Sequence, residues 1–271
     1  MKKRILAAVV LVPILLLILY VAPKWVTAAV VGLISGLAAF ELLYGTGLVR
    51  HIRLVAYAVL AAVLVPLWCY FGMNPIWGRA GLLLFVLLMF MEMMLSGLRL
   101  KFAKVSICFV AGIVLPYLLA SIVRIMAWET GRYLILIPFV VAFLSDTGAY
   151  FIGCRFGKHK LAPEISPNKS VEGVLGGMLF AVLGMLLYCL ILSLAFKCKV
   201  SYGYALVYGI IGSVAGVFGD LCFSVIKRQT GIKDYGNLIP GHGGALDRFD
   251  SMHVVAPLVE LLLMVLPVVV K

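Results

Sequence analysis

The stretch GVLGGMLFAVLGMLLYCLILSLAF, residues 173–196, contains no charged side chain and is long enough to cross a membrane as one helix. The hydrocarbon core of a bilayer requires about 20 predominantly apolar residues in helical form. The sequence therefore predicts an all-α polytopic membrane protein with about nine transmembrane helices. The other apolar stretches lie near residues 5–22, 25–45, 54–72, 80–98, 105–123, 133–152 and 202–222, with a shorter one at 254–270.

The composition of the whole chain agrees with a membrane protein. Of its 271 residues, 64% are hydrophobic and 13% are charged, against about 25% charged residues in an ordinary soluble domain. The 6 cysteines show no C-x-x-C spacing, which favours small packing residues over a zinc site or a disulfide framework. No repeat or linker divides the chain, and we expect a single membrane domain over residues 1–271.

The basic residues indicate an orientation. The net charge is +12, and with nine spans most Lys and Arg side chains fall in the loops on the side of the N-terminus, which the positive-inside rule places in the cytoplasm. The basic groups are spread over short loops. Anionic lipid head groups or nucleotide phosphates are therefore better partners than nucleic acid.

The two halves of the chain differ in polarity. Residues 1–130 contain three acidic side chains and no polar motif, so we interpret them mainly as scaffold. Residues 131–271 contain the other acids and two long polar connections, 153–172 and 227–253. Two predicted spans separate these connections, so both should emerge on the cytoplasmic face, in a catalytic half.

Asp146 and Asp220 lie inside predicted spans, where an ionisable side chain is costly and usually functional. Asp220, Ser224 and Lys227, with Arg228 next to Lys227, share one face if the helix continues through them. This pattern indicates a polar stripe that leads toward the cytoplasm. An internal salt bridge between Asp220 and Lys227 is the structural alternative.

The loop GNLIPGHGGALDRFD, residues 236–250, follows this stripe. Asp247 and Asp250 are three residues apart, and two like charges on one helix face repel unless a cation lies between them. Carboxylate ligands without thiolates favour Mg²⁺ over zinc. Arg248 neutralising one carboxylate is the alternative, and His242 is better suited to bind phosphate or cap the loop than to hold a metal.

The stretch SDTGAYFIGCRFGKHKLAPEISPNKSVEGVLGG, residues 145–177, contains the other polar connection. Ser170 can cap the following helix and Glu172 suits its first turn. A helix start with lysines nearby favours phosphate, although the same features fit a positive-inside anchor. The remaining glycines are expected to mark close helix packing: Gly173, Gly176, Gly177 and Gly184.

Read from Ser224 to Asp250, the pattern S-x-x-K-R-x4-K-D-x-G-x2-I-P-x-H-G-G-x-x-D-R-x-D closely resembles the signature of the phosphatidate cytidylyltransferase, or CDP-diacylglycerol synthase, family. The upstream block SDTGAYFIGCRFGKHKLAPEISPNKSVEG resembles the second block of that family. The resemblance covers about residues 140–255. Ala245 departs from it, because the family more often has a larger aliphatic residue there.

The resemblance implies transfer of a cytidylyl group from CTP to phosphatidic acid with Mg²⁺, and leaves open a second cation. It implies a catalytic set of Asp220, Lys227, Arg228, Lys233, Asp234, His242 and Arg248. The implied substrate-binding set is Lys158, Ser166, Lys169, Glu172, Ser224, Gly243 and Gly244. The implied metal ligands are Asp220 and Asp247, supported by Asp250 and Asp146.

Three other functions are alternatives to this one. A CDP-alcohol phosphotransferase requires a D-G-x2-A-R run, which the sequence lacks. A lipid or dolichol kinase is closer in chemistry, and a transporter would explain acids in the spans, including Glu260. Glu92 and Glu260 are interpreted as hydrogen-bonding residues inside the bundle. The expected setting is a bacterial inner membrane with the active site facing the cytoplasm, and a homo-oligomer stays open.

Overall fold

The computed structural model describes residues 13–97, 99–236 and 243–270, so His242 lies outside the described residues. Residues 13–20 are helical. The helices that follow are α1 Lys24–Phe40, α2 Ile52–Tyr70, α3 Pro75–Leu95, α4 Phe102–Phe109, α5 Leu115–Leu119, α6 Ser121–Ala127, α7 Gly131–Leu134, α8 Ile137–Phe156, α9 Val171–Phe196, α10 Tyr202–Gln229, α11 Leu246–Phe249 and α12 Met252–Val265. The described residues include two π-helical segments, π1 Glu41–Gly45 and π2 Val110–Val114.

The described part of the chain contains very little β-structure. Strands β1 Lys160–Ala162 and β2 Ser166–Ser170 form an antiparallel hairpin within the connection between α8 and α9. Strands β3 Lys199–Val200 and β4 Val269–Val270 pair antiparallel. The predicted all-α polytopic class is therefore confirmed in its coarser form.

Seven helical segments among the described residues are long and apolar enough to cross a membrane. The predicted count of nine is not confirmed. Residues 5–12 of the first predicted span lie outside the described residues. Helix α12 has 14 residues, which is about 21 Å of helix against a hydrocarbon core of about 30 Å. The seven segments are Lys24–Gly45, Ile52–Tyr70, Pro75–Leu95, Phe102–Ala127, Gly131–Phe156, Val171–Phe196 and Tyr202–Gln229.

Local capping signals explain where two of the long helices begin. Asn74 precedes α3, and its side-chain oxygen accepts a hydrogen bond from the Ile76 N–H at 2.9 Å. Ser170 precedes α9, and its hydroxyl oxygen accepts a hydrogen bond from the Gly173 N–H at 3.1 Å. Such caps satisfy N–H groups that have no partner inside the helix. The predicted Ser170 cap is confirmed.

The chain divides into two compact units. The first contains Met1–Ala127 and Gln229–Phe249, and the second contains Trp128–Arg228 and Asp250–Lys271. The signature segment is therefore split, since residues 229–249 belong to the unit that holds the first half of the chain. The expectation of a single membrane domain stays a prediction.

In the first unit, α1 packs closely against α2 at two glycines one turn apart. A Cβ added at Gly32 would lie 2.8 Å from the Val63 carbonyl oxygen, and one at Gly36 would lie 2.7 Å from a Val63 methyl group. Small residues at this spacing allow helix backbones to approach in a membrane. Glu92 lies in the same unit, where its carboxylate accepts a hydrogen bond from Tyr57 at 3.3 Å, as predicted for this residue.

In the second unit, the pairing of α8 with α9 is also built on glycines. An added Cβ at Gly176 would lie 2.4 Å from Ile152, one at Gly177 would lie 2.7 Å from the Ser145 carbonyl oxygen, and one at Gly184 would lie 2.1 Å from Leu144. These distances are too short for a real Cβ, so the predicted packing role of the glycines is confirmed.

Gly148 of α8 provides a test of this packing. An added Cβ there would lie 2.6 Å from the Phe180 Cβ and 2.7 Å from the Gly176 carbonyl oxygen. We expect Gly148→Ala to destabilise the protein by about 1–3 kcal/mol, because overpacking forces side chains or backbone to shift. Thermal unfolding in detergent measures the change.

Gly203 of α10 is the matched control, since an added Cβ meets nothing within 4 Å. Gly203→Ala is expected to be neutral or stabilising by up to about 1 kcal/mol. Equal unfolding temperatures for the two variants would contradict the proposed close contact of α8 with α9.

Candidate active site

The polar stripe predicted from the sequence lies on one continuous helix. Asp220, Ser224 and Lys227 all belong to α10, Tyr202–Gln229. The Ser224 hydroxyl donates a hydrogen bond to Asp220 Oδ1 at 3.2 Å. The expectation that the helix continues through these residues is therefore confirmed, and Ser224 orients the Asp220 carboxylate.

Lys169, which lies in strand β2, is an ionic partner of Asp220. Its Nζ is 2.5 Å from Asp220 Oδ2 and 3.4 Å from the Val217 carbonyl oxygen. The Lys169 side chain is 22% exposed and that of Asp220 is 29% exposed. A partly desolvated pair of this kind is held more strongly than a surface pair. The polar connection of residues 153–172 is thus linked to α10 within the second unit.

Asp250 adds a second carboxylate to this cluster. Burial, followed by the negative charge of Asp220, raises the pKa of Asp250 from 3.8 to about 7, and Asp146 acts in the same direction. Lys227 and the Ser251 N–H, which donates to Asp250 Oδ1 at 2.7 Å, lower it. A cation would offset the repulsion between these two carboxylates.

Gly219 explains how α10 comes so close to the segment that carries Asp250. An added Cβ at Gly219 would lie 3.1 Å from the Ser251 Cα and 3.2 Å from the Asp250 carbonyl oxygen. A larger residue would push the helix away from this segment. The sequence interpretation did not single out Gly219, although a glycine directly before an aspartate inside a span is a usable signal.

The connection between α8 and α9 is held by Glu172 in the first turn of α9. Its carboxylate accepts hydrogen bonds from the Lys158 and His159 N–H groups at 3.2 Å and contacts His159 Nδ1 at 2.6 Å. Arg228 Nε donates to the Ile165 carbonyl oxygen at 3.0 Å. Glu172, predicted to bind substrate, therefore fixes the loop that carries Lys158.

In the first unit, Asp247 holds the main chain of the signature segment. Its Oδ2 accepts hydrogen bonds from the Tyr235 N–H at 2.8 Å and the Gly244 N–H at 3.0 Å. The buried Glu41 carboxylate binds the N–H groups of Ala245 and Leu246. The sequence interpretation missed Glu41, because a single acid at the end of a span has no local motif.

The remaining predicted site residues are more open. Asp146 lies in α8 and is exposed, although its charge acts on Asp250. Ser166 is partly buried in β2. The metal-binding role of Asp146 and the substrate-binding role of Ser166 stay predictions. The sharing of a metal by Asp247 and Asp220 also stays a prediction. The exposed residues among those predicted from the signature and its upstream block are Lys158, Arg228, Lys233, Asp234 and Arg248.

Two carboxylates of the second unit are candidate ligands for a magnesium ion. Among the described residues, no group of three His, Cys, Asp or Glu side chains is placed to hold a metal. Mg²⁺ is usually bound by one or two carboxylates together with waters and substrate phosphates. Asp220 and Asp250 provide two such carboxylates.

Residues 2–266 match the cytidylyltransferase family. This chain belongs to the cytidylyltransferase family. The resemblance found in the signature is therefore confirmed, and so is the prediction of a nucleotidyltransferase. The membership favours this activity over a lipid kinase or a transporter.

Individual relatives support the same family. A protein of Bacillus subtilis named phosphatidate cytidylyltransferase is 35% identical over 272 residues, covering 97% of both chains. A protein of the same name from Staphylococcus saprophyticus is 46% identical over 133 residues, which is 49% of this chain and 50% of that relative. One from Staphylococcus aureus is 42% identical over 133 residues. The matched stretch thus spans about half the length of the Staphylococcus relatives.

Proposed function

We propose that this cytidylyltransferase-family protein transfers the cytidylyl group of CTP to phosphatidic acid and releases CDP-diacylglycerol and pyrophosphate. The observation that carries the proposal is the pairing of Asp220 with Lys169 beside Asp250 and Lys227. Two carboxylates and two cations suit the phosphates of a nucleotide and a lipid. The names of the relatives point to the same reaction.

The proposed reaction is an in-line displacement at phosphorus. A phosphate oxygen of phosphatidic acid forms a bond to the α-phosphorus of CTP, and the bond from that phosphorus to the oxygen bridging to the β-phosphate breaks. The electron pair leaves with pyrophosphate. Because the attacking phosphate is already anionic near neutral pH, no strong general base is required, and positioning with charge neutralisation supplies most of the rate.

The cationic side chains of the second unit would neutralise substrate charge. Lys169 and Lys227 stand beside the carboxylates, where phosphate oxygens would replace or share their present partners. Arg228 and the Glu172-anchored loop with Lys158 would bind further phosphate oxygens. Lys233, Asp234, His242 and Arg248 are proposed for the same reaction on the basis of the signature alone.

Asp220 and Asp250 would hold the Mg²⁺ ion that the family resemblance implies, with Ser224 orienting Asp220. Bound there, the ion would neutralise charge on the phosphate oxygens during transfer. Asp247 and Asp146 stay predicted ligands, and a second cation is left open. The chain's own contribution is to keep two carboxylates together at a position that α10 and Gly219 define.

We further propose that the N-terminus and both polar connections face the cytoplasm of a bacterial cell, with nine spans in all. CTP is soluble and highly charged, whereas phosphatidic acid lies in the bilayer, so the site should stand where the two meet. Single cysteines introduced at Lys160 and at Lys197 and labelled with a membrane-impermeant reagent test this orientation. Labelling of the Lys160 position in intact cells would contradict it.

The function is tested by incubating detergent-purified protein with labelled CTP and phosphatidic acid, with and without Mg²⁺. We expect CDP-diacylglycerol that depends on both substrates and on the metal. A parallel reaction contains diacylglycerol in place of phosphatidic acid. Formation of phosphatidic acid from diacylglycerol and CTP in that reaction would instead indicate a kinase. Absence of CDP-diacylglycerol, with intact folded protein, would overturn the proposal.

A further inference from the structure

Glu41 is a buried acid in the half of the chain that the sequence marks as scaffold. It begins π1, Glu41–Gly45, at the end of the candidate span Lys24–Gly45. A π-helical turn inserts one extra residue into a helix and redirects the side chains around it, and such turns are frequent at functional sites. The Glu41 carboxylate therefore stands at a turn of a type that is common in functional sites.

Both oxygens of Glu41 bind main-chain N–H groups of the signature segment. Oε1 accepts from the Ala245 N–H at 2.9 Å, and Oε2 accepts from the Leu246 N–H at 2.8 Å. These groups stand where α11 begins, and such groups have no partner inside the helix. A side chain that is 204 residues away in sequence therefore acts as the cap of this helix.

The main chain closes tightly around the same carboxylate. An added Cβ at Gly236 would lie 2.6 Å from Glu41 Oε1, and one at Gly244 would lie 2.4 Å from Oε2. Neither position has room for a side chain while Glu41 is in place. Two glycines of the signature are thus explained by a residue outside the signature.

Asp247 holds the same segment from within. Its Oδ2 accepts hydrogen bonds from the N–H groups of Tyr235 and Gly244. Together, the carboxylates of Asp247 and Glu41 bind four main-chain N–H groups at residues 235 and 244–246. Carboxylate acceptors make such hydrogen bonds stronger than neutral ones. Removing one acceptor would leave buried donors unpaired.

We propose that Glu41 is a positioning residue of the cytidylyl transfer, which fixes the main chain at residues 243–246 for binding of CTP. The role in binding rests on the proposed function. We call the two hydrogen bonds from the Ala245 and Leu246 N–H groups to Glu41 the anchor. Gly243 and Gly244 are predicted to bind substrate and Asp247 is a predicted metal ligand. The anchor sets the position of all three residues. A misplacement of about 1 Å is enough to lower activity by about 100-fold.

Glu41→Gln tests the anchor because it changes chemistry with almost no change in volume. Glutamine has one carbonyl oxygen, and its NH₂ group would face a main-chain N–H, donor against donor. We expect the KM for CTP to rise roughly 10- to 100-fold, while the KM for phosphatidic acid is unchanged. A purely structural role would lower the fraction of active protein without changing either KM.

Glu92→Gln is the matched control. Glu92 is also a buried acid of the first unit, and its Oε1 accepts hydrogen bonds from Tyr57 and Arg53. The carbonyl oxygen of glutamine can accept both. We expect wild-type KM values for this variant. Wild-type kinetics for Glu41→Gln as well would overturn the proposal.

Hydrogen exchange separates the anchor from the proposed function. In Glu41→Gln, peptides that cover residues 243–249 should exchange faster than in wild type and in Glu92→Gln, whether or not the protein makes CDP-diacylglycerol. Unchanged exchange would overturn the anchor, whereas faster exchange without any wild-type activity would refute only the proposed function. If Glu41→Gln does not fold, Gly236→Ala inserts a Cβ against the same carboxylate and should produce the same rise in KM for CTP and faster exchange over residues 243–249.

Discussion

Asp220→Asn is expected to lower CDP-diacylglycerol formation by about 100- to 1,000-fold, because the proposed metal loses a charged ligand beside the substrate phosphates. The substitution keeps the shape of the side chain and the acceptor for the Ser224 hydroxyl. Folding in detergent should therefore be retained. Steady-state rates at saturating CTP and varied Mg²⁺ measure the effect.

The control is Glu164→Gln, which neutralises an exposed acid in the same unit and should retain wild-type activity. A second test uses the ion pair between Lys169 and Asp220. If the two side chains act together, Lys169→Ala should lower activity less in the Asp220→Asn background than in wild type. Additive effects, or an Asp220→Asn variant with more than half the wild-type rate, would contradict the role assigned to Asp220.

The membrane fold was predictable because composition alone determines it. A stretch such as residues 173–196 has no alternative to a helix in a bilayer, where every main-chain polar group needs an internal partner. The number of spans was not predictable in the same way. Residues 254–270 are apolar throughout, but α12 contains Pro257 and ends at Val265, and Val269–Val270 pairs as a strand with Lys199–Val200.

Local features of the site were also predictable, since they depend on residues close in sequence. The stripe of Asp220 and Ser224 follows from helical spacing, and the Ser170 cap follows from its position before an apolar run. The ion pair of Asp220 with Lys169 was not predicted, because its partners are brought together only by tertiary structure. The local alternative, a pair with Lys227, was the one that helical spacing suggested.

The contact of Glu41 with the signature segment also depends on tertiary structure and could not be predicted from the sequence. Nothing around Glu41 in the sequence marks it, and its partners are main-chain groups that carry no residue-type signal. The assignment of residues 229–249 to the first unit could not be derived either. Patterns in one sequence predict elements and local stripes, whereas long-range hydrogen bonds to the main chain require coordinates.

Asp250→Asn is expected to lower activity by about 100-fold and to remove a pH dependence of stability. In the metal-free protein the pKa of Asp250 is raised from 3.8 to about 7 by burial and by the charge of Asp220. At a pH between these two pKa values, Asp250 keeps its proton in the folded state and loses it in the unfolded state. Above about pH 7 the folded state must carry an unfavourable charge, so stability falls as pH rises through this window.

Thermal unfolding in detergent with a chelator, at pH 5 and pH 8, measures this effect for wild type and Asp250→Asn. Relative to the variant, wild type should lose several degrees of unfolding temperature between the two values. Mg²⁺ added at pH 8 should restore part of the loss in wild type and leave the variant unchanged, since the ion is proposed to bind between the two carboxylates. Parallel pH profiles for both proteins would show that Asp250 does not titrate in this range, and an equal response to Mg²⁺ would remove Asp250 from the proposed ligands.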